Sequence, residues 1–368
     1  MFQMPRTIKD VPRDERFGNI LNLDKRDLLN TKEICKGDHN SEKIANLLFN
    51  SQQAKGTSKS YSYIIKKFRE HCDSSTDYNY TNFGQVEVGS FVLNMVQANL
   101  SKNIIACIKP AIERLEVAKG VKDTAFTPLI CKWLSGAKRL ACEIEPKIKK
   151  MDPIPLEAIK KALREHIWIH VAHPERIDMK VFRTVFRWVV MSFTLCRFDE
   201  FKELRALHFK VVEDQQAIQV FFPRAKNDQF HNGMLKMLPK QEDSILNPMA
   251  LTLLYFQRFG LHMDETDTSY INCRLTGTSA KKVLGNVRLS YNEAAKLAKG
   301  LLRQLGYGHI RYGESSAKRT GVTVALNNDV PIDVVQQVGG WKTAGMPLTY
   351  MASSIDHKVR IAKDMKIL

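Results

Sequence analysis

The chain has 368 residues, of which 44% are hydrophobic and 26% are charged. This length is enough for two domains of ordinary size, each with its own hydrophobic core. Lys and Arg number 56 against 39 for Asp and Glu, which gives a formal net charge of +17. An excess of this size favours a partner that carries many phosphates, with a basic protein of another kind as the alternative.

Several sequence features limit where the protein works. No uninterrupted apolar stretch reaches the length of a membrane span, so we expect a soluble protein with no membrane partner. The opening Met-Phe-Gln-Met-Pro-Arg-Thr lacks the pattern of a secretory signal. The seven cysteines include no CxxC pair, which indicates reduced thiols in the nucleus or the cytoplasm. We therefore expect an intracellular protein with no metal and no cofactor.

The N-terminal part of the chain predicts a helical domain behind a flexible arm. Residues 1–39 are polar and have no clear periodicity, which is typical of a loosely ordered arm. In residues 40–145 the apolar side chains recur at helical spacing. The predicted helices cover residues 57–68, 88–96, 104–115 and 128–140. Thr57 and Ser58 are the expected cap of the first helix, and the four helices together predict a small bundle.

Basic residues lie on the polar sides of the first and last helices of this bundle. They outnumber the acidic residues nearby, which favours a surface that faces phosphates over an ordinary solvated face. The candidate phosphate-contacting residues of the bundle are Thr57, Ser58, Lys59, Lys66, Lys132, Lys138 and Arg139. Arg224, in the second domain, joins this set.

A linker is predicted over residues 146–155. The stretch Glu-Pro-Lys-Ile-Lys-Lys-Met-Asp-Pro-Ile-Pro contains three prolines and three lysines and cannot continue a helix. A charged, semi-rigid tether suits two lobes that close around a negatively charged partner. The second domain then covers residues 156–368.

The second domain is predicted to be mainly α, with a small antiparallel β-sheet. Its helices cover residues 156–170, 178–195, 247–259, 290–305, 316–326 and 331–339, with a shorter helical segment over 200–207. Three strands are predicted over 211–212, 217–222 and 234–238. Ser290 and Glu293 form a capping box, and Asn327 to Asp329 favour a left-handed cap.

The first candidate site residues are near the C-terminal end. Gly339 and Gly340 allow a backbone turn that would present the amphipathic Trp341 at a surface. Tyr350 follows nine residues later and is either a buried core residue or a nucleophile.

Charged residues elsewhere add to these candidates. Arg197 directly follows a buried apolar helix and either pairs with a neighbouring acid, Asp199 or Glu200, or binds an anion. Lys226 is expected at the tip of a hairpin, either solvated or reaching a ligand. Ser315, Ser316, Lys318 and Arg319 open a helix whose N-terminal amides favour an anion.

Four of these motifs, in this order, resemble the tyrosine recombinase (phage-integrase) family, which includes Cre-like recombinases and the recombinases of DIRS-like and Crypton-like mobile elements. The likeness covers about residues 40–360. The motifs are Thr194-Leu-Cys-Arg197-Phe-Asp-Glu200, Arg224-Ala-Lys226, Ser315-Ser-Ala-Lys-Arg-Thr-Gly-Val-Thr, and Gly339-Gly-Trp341 with Tyr350. The resemblance implies an N-terminal four-helix core-binding (SAM-like) domain and a C-terminal mixed α+β catalytic domain.

The resemblance also implies metal-free strand exchange on double-stranded DNA. Tyr350 would attack a scissile phosphate and form a 3′-phosphotyrosyl link, while Arg197 would neutralise the non-bridging oxygens. Lys226 would protonate the departing 5′-hydroxyl. Trp341 would fill a position that the family occupies with His or Trp, and Glu200 would support the site.

One motif departs from the family pattern. The usual His-x-x-Arg aligns with Ser315 and Lys318, and Arg319 comes one residue late. Lys cannot reproduce the bidentate grip of Arg. Either Arg319 is recruited by a local shift, or the enzyme is slow or inactive. The leading hypothesis is therefore an active recombinase or integrase of a mobile element, and the alternative is a DNA-binding relative that regulates or has been domesticated.

The C-terminal tail, residues 352–368, has apolar residues at helical spacing with no obvious place in its own core. We expect it to dock on a neighbouring protomer and to help build a homo-tetramer on two DNA sites.

Overall fold

The structure is a computed structural model that describes residues 55–98, 101–119, 124–144, 150–224, 232–277 and 283–351. The predicted arm over residues 1–39 and the tail over 352–368 lie outside these described residues. Contacts divide the chain into two compact units, Met1–Lys149 and Lys150–Leu368. The fold is mainly α with small antiparallel sheets, as predicted. In the described part, every helix is too short or too polar to cross a membrane.

The described part of the first unit contains four helices. They are α1 (Lys55–Asp73), α2 (Gln85–Gln97), α3 (Lys102–Lys119) and α4 (Pro128–Ile144). Their apolar faces meet in one core, where Phe68 packs edge-on against Phe83 and Phe91 with ring centroids 5.0 and 5.1 Å apart. The periodicity of the apolar residues thus predicted the helices because one face of each helix is buried here.

The expected cap at Thr57 and Ser58 is wrong, because both residues lie inside α1. Ser58 is only 4% exposed. It precedes Tyr61 by three residues and Ile65 by seven, so helical periodicity places it on the same inner face. A side chain buried there cannot contact a DNA phosphate, and Ser58 is therefore removed from the candidate phosphate-contacting residues. The basic candidates are exposed on α1 and α4, namely Lys59, Lys66, Lys132, Lys138 and Arg139.

The second unit is built from short and medium helices around its sheets. The described helices are α5 (Leu156–His166), α6 (Met179–Thr194), α7 (Phe198–Phe201), α8 (Pro248–Phe259), α9 (Tyr291–Gln304), α10 (Ser315–Asn327), α11 (Ile332–Gly339) and α12 (Gly345–Tyr350).

Helix α6 is the centre of this unit. Asp178 caps it, because its carboxylate accepts from the backbone N–H groups of Lys180 and Val181 at 2.7 and 3.1 Å. Its apolar residues are buried on several sides, since α5, α8, α9 and α10 pack against it. A helix that is apolar over so much of its surface is stable only when neighbours cover it.

Two antiparallel sheets complete the second unit. The first consists of β1 (Phe209–Val212), β2 (Ala217–Phe222) and β3 (Met234–Pro239), in that order, and confirms the three predicted strands. The second pairs β4 (Cys273–Thr276) with β5 (Val283–Arg288) and was not predicted. Most of β5 is exposed, so its sequence lacks the alternation that marks a half-buried strand.

Several predicted helix boundaries need correction. α5 ends at His166, and a separate 3₁₀ turn covers Trp168–His170. The predicted left-handed cap after α10 is confirmed at Asp329, with φ 59°, whereas α12 was not predicted to be a helix. The capping box of α9 is confirmed, since the Glu293 backbone N–H donates to Ser290 and the Ser290 backbone N–H donates to Glu293.

The backbones of helices α6 and α10 are in contact where the two helices cross. A Cβ atom added to Gly321 would lie 1.9 Å from the main-chain oxygen of Ser192. The Ser192 hydroxyl donates to the main-chain oxygen of Ala317 at 2.9 Å, one turn earlier on α10. The absence of a side chain at position 321 therefore allows α10 to lie against the last turns of α6.

Gly321→Ala should lower the free energy of unfolding by about 1–3 kcal/mol, because the added methyl group overlaps a backbone oxygen that cannot easily move. Gly300 of α9 is the matched control, since a Cβ there meets nothing within 4 Å. Gly300→Ala should leave stability unchanged or raise it by up to about 1 kcal/mol. Urea unfolding measures both variants, and a Gly321→Ala protein as stable as the wild type would contradict the close crossing.

Candidate active site

Arg197 and Glu200 form a tight pair just after α6. The chain leaves α6 through Leu195, which has a left-handed conformation with φ 49°. One oxygen of Glu200 accepts from the Arg197 backbone N–H at 2.7 Å, and the other accepts from its guanidinium at 2.8 Å. Of the two acidic partners expected for Arg197, the structure selects Glu200, because Asp199 pairs with Lys202 at 2.6 Å instead.

This pair is anionic on one side and cationic on the other at neutral pH. Burial raises the pKa of the Glu200 carboxyl, but the hydrogen bond from the Arg197 main chain and the charges of Arg197 and Lys318 bring it below its usual value. Burial lowers the pKa of Arg197, whereas Glu200 and Tyr350 raise it, with a net upward shift. The Glu200 carboxylate therefore fixes the orientation of Arg197, and Tyr350 lies close enough to Arg197 to affect its pKa.

Lys318 of α10 is almost completely buried beside two aromatic rings. It is 1% exposed, and its Nζ lies 4.1 Å from the centroid of the Trp341 ring and 5.4 Å from that of Tyr350. The amine donates to the main-chain oxygen of Gly339 at 3.4 Å. Burial, together with the nearby charge of Arg197, lowers the pKa of Lys318 to about 7. An amine in this position changes its protonation state near neutral pH.

Trp341 is not presented at a surface, which corrects the expectation from the two glycines. It is 5% exposed and packs in a small cluster with Leu195, Val322 and Val335. A Cβ on Gly339 would lie 1.8 Å from the Trp341 ring, and Gly340 has φ 64°. The glycines therefore let the indole fold back onto its own chain and form one wall of the site.

Tyr350 is the last residue of α12 and is half-buried. Its ring centroid is 5.2 Å from that of Trp341, at an interplanar angle of 44°. The ring packs against the cluster that contains Trp341, while the side chain also interacts electrostatically with Arg197. Tyr350 thus has features of both interpretations made from its sequence, a packed ring and a position beside a buried cation.

Arg319 points to a different place from Lys318. Its guanidinium donates to the main-chain oxygens of Thr349 and Met351 at 3.1 and 3.5 Å. These residues flank Tyr350, so Arg319 holds the backbone on both sides of it. Consecutive helical residues point about 100° apart, which explains why only one of the two cations can face Arg197. The structure brings Lys318, and not Arg319, into the cluster with Arg197 and Glu200.

Two other candidates lie outside this cluster, and a third is not among the described residues. Ser315 is exposed at the first position of α10, and Arg224 is exposed just after β2. Lys226 is in the segment 225–231, outside the described residues. The residues that the structure does bring together are Arg197, Glu200, Lys318, Trp341 and Tyr350. Within the described ranges, no group of His, Cys, Asp and Glu side chains is placed to hold a metal ion.

One residue of the cluster was missed from the sequence. Lys236 of β3 is 7% exposed, and its Nζ donates to the main-chain oxygen of Thr194 at 2.6 Å. Its charge is coupled to those of Arg197 and Glu200. The sequence does indicate that Lys236 is buried, because the alternation of side chains along a strand places it on the same face as the buried Leu238.

Comparison with known proteins gives a clear result at the level of structure only. No protein-family model and no curated protein matches the chain. Among solved structures, XerH site-specific recombinase bound to palindromic difH substrate in a post-cleavage complex superposes with a TM-score of 0.56 at 13% identity, covering 96% of this chain and 88% of XerH. The chain has the tyrosine-recombinase fold.

Two further structures support the same fold. The pre-cleavage complex of XerH with difH gives a TM-score of 0.51 at 15% identity, over 92% of this chain and 83% of that one. The integrase of the Tn1549 transposon, in complex with transposon right end DNA, gives 0.52 at 10% identity, over 92% and 98%. The expected tyrosine-recombinase fold is therefore confirmed.

The pKa of Lys318 predicts how the stability of this tyrosine-recombinase fold depends on pH. The unfolded chain keeps this proton up to about pH 10.5, but the folded chain releases it above about pH 7. Between these values the unfolded state binds more protons, so the free energy of unfolding should rise with pH, by at most about 1.4 kcal/mol per unit from this group. Lys318→Met should remove this contribution.

Urea unfolding of the wild type and of Lys318→Met at pH 7, 8 and 9 measures the effect. The difference between the two proteins isolates Lys318, because other titrating groups are shared. We expect the variant to be the more stable of the two at pH 7 and its advantage to shrink as the pH rises. Parallel stability profiles would show that Lys318 keeps an ordinary pKa in the folded chain.

Proposed function

We propose that the chain is a DNA breaking and rejoining enzyme, a tyrosine recombinase or integrase of a mobile element. The observation that carries the proposal is the cluster of Arg197, Glu200, Lys318, Trp341 and Tyr350, which come from four separate parts of the chain. Three of the five are charged and buried or partly buried, and two of these, Arg197 and Lys318, interact with the Tyr350 side chain. Perturbed charged groups around a potential nucleophile are typical of catalytic sites.

The proposed reaction begins with attack of the Tyr350 oxygen on a scissile phosphate. A phosphorus–oxygen bond to tyrosine forms, the bond to the 5′-oxygen breaks, and the 3′ end remains joined to the enzyme. The phenol proton is released, and the 5′-oxygen takes up a proton from Lys226. Attack by another 5′-hydroxyl reverses these steps and rejoins the strand, so the energy of the phosphodiester bond is kept in the covalent intermediate.

Arg197 and Lys318 supply positive charge for the crowded phosphorane. Glu200 fixes Arg197 through two hydrogen bonds of 2.7 and 2.8 Å, so its guanidinium is held in place before the substrate arrives. Preorganised donors of this kind stabilise charge that develops in the transition state. Trp341 walls one side of the site and excludes water from the Lys318 amine.

Double-stranded DNA is the proposed partner of both units. The net charge of +17 and the exposed basic residues on α1 and α4 support contacts with phosphates. Lys59, Lys66, Lys132, Lys138 and Arg139 are proposed as phosphate contacts in the first unit. Thr57, which is half-buried, and Arg224, which is exposed, stay as candidates. A nuclear or cytoplasmic location is part of the same proposal.

A homo-tetramer on two DNA sites is proposed as the working assembly. The second unit has an apolar cavity of about 250 Å³ between α5, α6, α10 and α11. Its lining includes Val189, Phe193, Val324, Val335 and Val338. We propose that the apolar tail over residues 352–368 of a neighbouring protomer fills it. Unchanged pairing of two DNA sites after removal of the tail would reject this part of the proposal.

A second candidate function follows from the altered motif. Ser315 and Lys318 occupy the positions where the family pattern has His and Arg, and the Lys318 amine has a pKa of about 7. A site that lacks one bidentate cation stabilises the phosphorane less, while contacts with DNA phosphates elsewhere on the protein are kept. The alternative is therefore a DNA-binding recombinase relative, regulatory or domesticated, with weak or no cleavage.

Tyr350→Phe should abolish covalent attachment to DNA while DNA affinity stays within about twofold, because only the attacking oxygen is lost. The substrate is duplex DNA from candidate element ends with a nick next to the cleavage point, which lets the 5′ product diffuse away and traps the adduct. Denaturing gels measure the adduct and fluorescence anisotropy measures binding. DNA binding by the wild type with no adduct would favour the non-cutting alternative.

The double substitution Ser315→His with Lys318→Arg should raise the cleavage rate, and the gain should be larger at pH 8 than at pH 6. Arginine stays charged at pH 8, whereas Lys318 is mostly neutral at pH 8 before DNA binds and must first take up a proton. Losing one preorganised donor costs about 100-fold to 1,000-fold in such sites, which sets the upper limit of the gain. If the double substitution brings no gain at either pH, and Arg319→Ala lowers the cleavage rate as much as Arg197→Ala does, then Arg319 and not Lys318 is the second cation of the site.

A further inference from the structure

Lys236 is a buried cation that the proposed reaction does not use. It lies on β3, paired across the ladder with Val220 of β2, and its Nζ is 5.1 Å from the centroid of the Phe222 ring. Its hydrogen bond to Thr194, at 2.6 Å, reaches a different element. Thr194 is the last residue of α6, where main-chain oxygens lack helical partners and attract cations.

The bond to Thr194 is made just where the chain turns toward Arg197. Leu195 follows in a left-handed conformation, with φ 49° and ψ 30°. This conformation is unfavourable for a residue that is not glycine, so it persists only where its surroundings hold it. Lys236 holds the residue before this turn, and Glu200 holds Arg197 after it. The two contacts together fix the direction in which Arg197 leaves α6.

Lys236 also contributes charge to the site. Arg197, Lys236 and Lys318 share a single carboxylate, that of Glu200. Burial lowers the pKa of Lys236, and Arg197 lowers it further while Cys196 and Glu200 raise it. The groups that face Lys318 from other elements are Arg197, Glu200, Lys236 and Cys196, along with the Tyr350 ring. The described site thus holds more buried positive than negative charge.

We propose that Lys236 is a positioning residue of this site, which fixes the turn that aims Arg197 and repels the positive charge of the buried Lys318. The proposal rests on the proposed function for its link to cleavage. Before DNA binds, the positive charges of Lys236 and Arg197 favour the neutral form of Lys318. When a phosphate enters, its negative charge favours the protonated form, so Lys318 gains a proton where the phosphorane will form.

The effect on Lys318 can be measured without any catalytic activity. The full-length chain, labelled with ¹³C at lysine Cε, gives a Lys318 signal that Lys318→Arg identifies by its loss. In the wild type this signal should titrate near pH 7. It should titrate at a clearly higher pH in Lys236→Met and in Lys236→Gln, of which the second keeps a donor for Thr194. Lys236→Arg keeps the charge, so its profile should match the wild type.

The matched control is Lys210→Met, which removes an exposed lysine from β1 of the same sheet. Its Lys318 signal should titrate as in the wild type. An unchanged titration of Lys318 in both Lys236→Met and Lys236→Gln would overturn the electrostatic part of the proposal, whether or not the protein cuts DNA. The absence of a wild-type adduct would instead count against the proposed function and leave this measurement valid.

Cleavage of nicked DNA tests the positioning role. Lys236→Met should cut about 100-fold more slowly at unchanged DNA affinity, since small misplacements of a catalytic group have effects of this size. Lys236→Gln should lose less, because it can still donate to Thr194. Melting temperatures of all variants identify any that are unfolded. If Lys236→Met is unfolded, the cleavage rates of Lys236→Gln and Lys236→Arg test the positioning role instead. Wild-type cleavage rates in both Lys236→Met and Lys236→Gln would overturn the positioning role.

A DNA substrate with sulfur in place of the 5′-bridging oxygen separates positioning from proton donation, because a thiolate leaves without a proton. It should restore cleavage by Lys226→Ala but not by Lys236→Met. Full restoration of Lys236→Met would make Lys236 the leaving-group acid and overturn its assignment as a positioning residue.

Discussion

The close crossing of α6 and α10 is the constraint on which the candidate site depends. Gly321 lets the two backbones touch at Ser192. Lys318 precedes Gly321 by three residues on α10, and Arg197 follows Ser192 by five residues, just after the end of α6. The crossing therefore brings two cations from distant parts of the sequence to one place. A side chain at position 321 would separate the helices and the two charges with them.

The crossing creates an electrostatic problem that the site solves only in part. Buried charges are costly unless they are paired, and the carboxylate of Glu200 is shared among Arg197, Lys236 and Lys318. The cost of burying each cation is reduced in a different way. Arg197 binds Glu200 directly, Lys236 binds a helix-terminal carbonyl, and Lys318 has a pKa that falls to about 7 beside the Trp341 ring. The positive charge that remains suits a substrate that brings its own negative charge.

The sequence predicted much of this fold because most of its helices bury one face. The apolar spacing in α1 to α4 and in α6 made those helices readable, and the turn residues marked β1 to β3. The exposed strand β5 gave no such pattern. Glycines were read as a means to expose Trp341, but the same conformational freedom buries it, and only the fold decides between these outcomes. Neither the choice between Lys318 and Arg319 nor the partner of Lys236 follows from spacing, because both depend on contacts across elements.

The grip of Arg319 on the chain around Tyr350 makes α10 a mechanical link between two parts of the site. Lys318 and Arg319 are neighbours on one rigid helix, yet the first faces Arg197 and the second holds the oxygens of Thr349 and Met351. A shift of α10 along or about its axis must then move the buried amine and the tyrosine together. The position of Tyr350 is therefore tied to that of α10, the helix that carries the buried charge, and the two would move together.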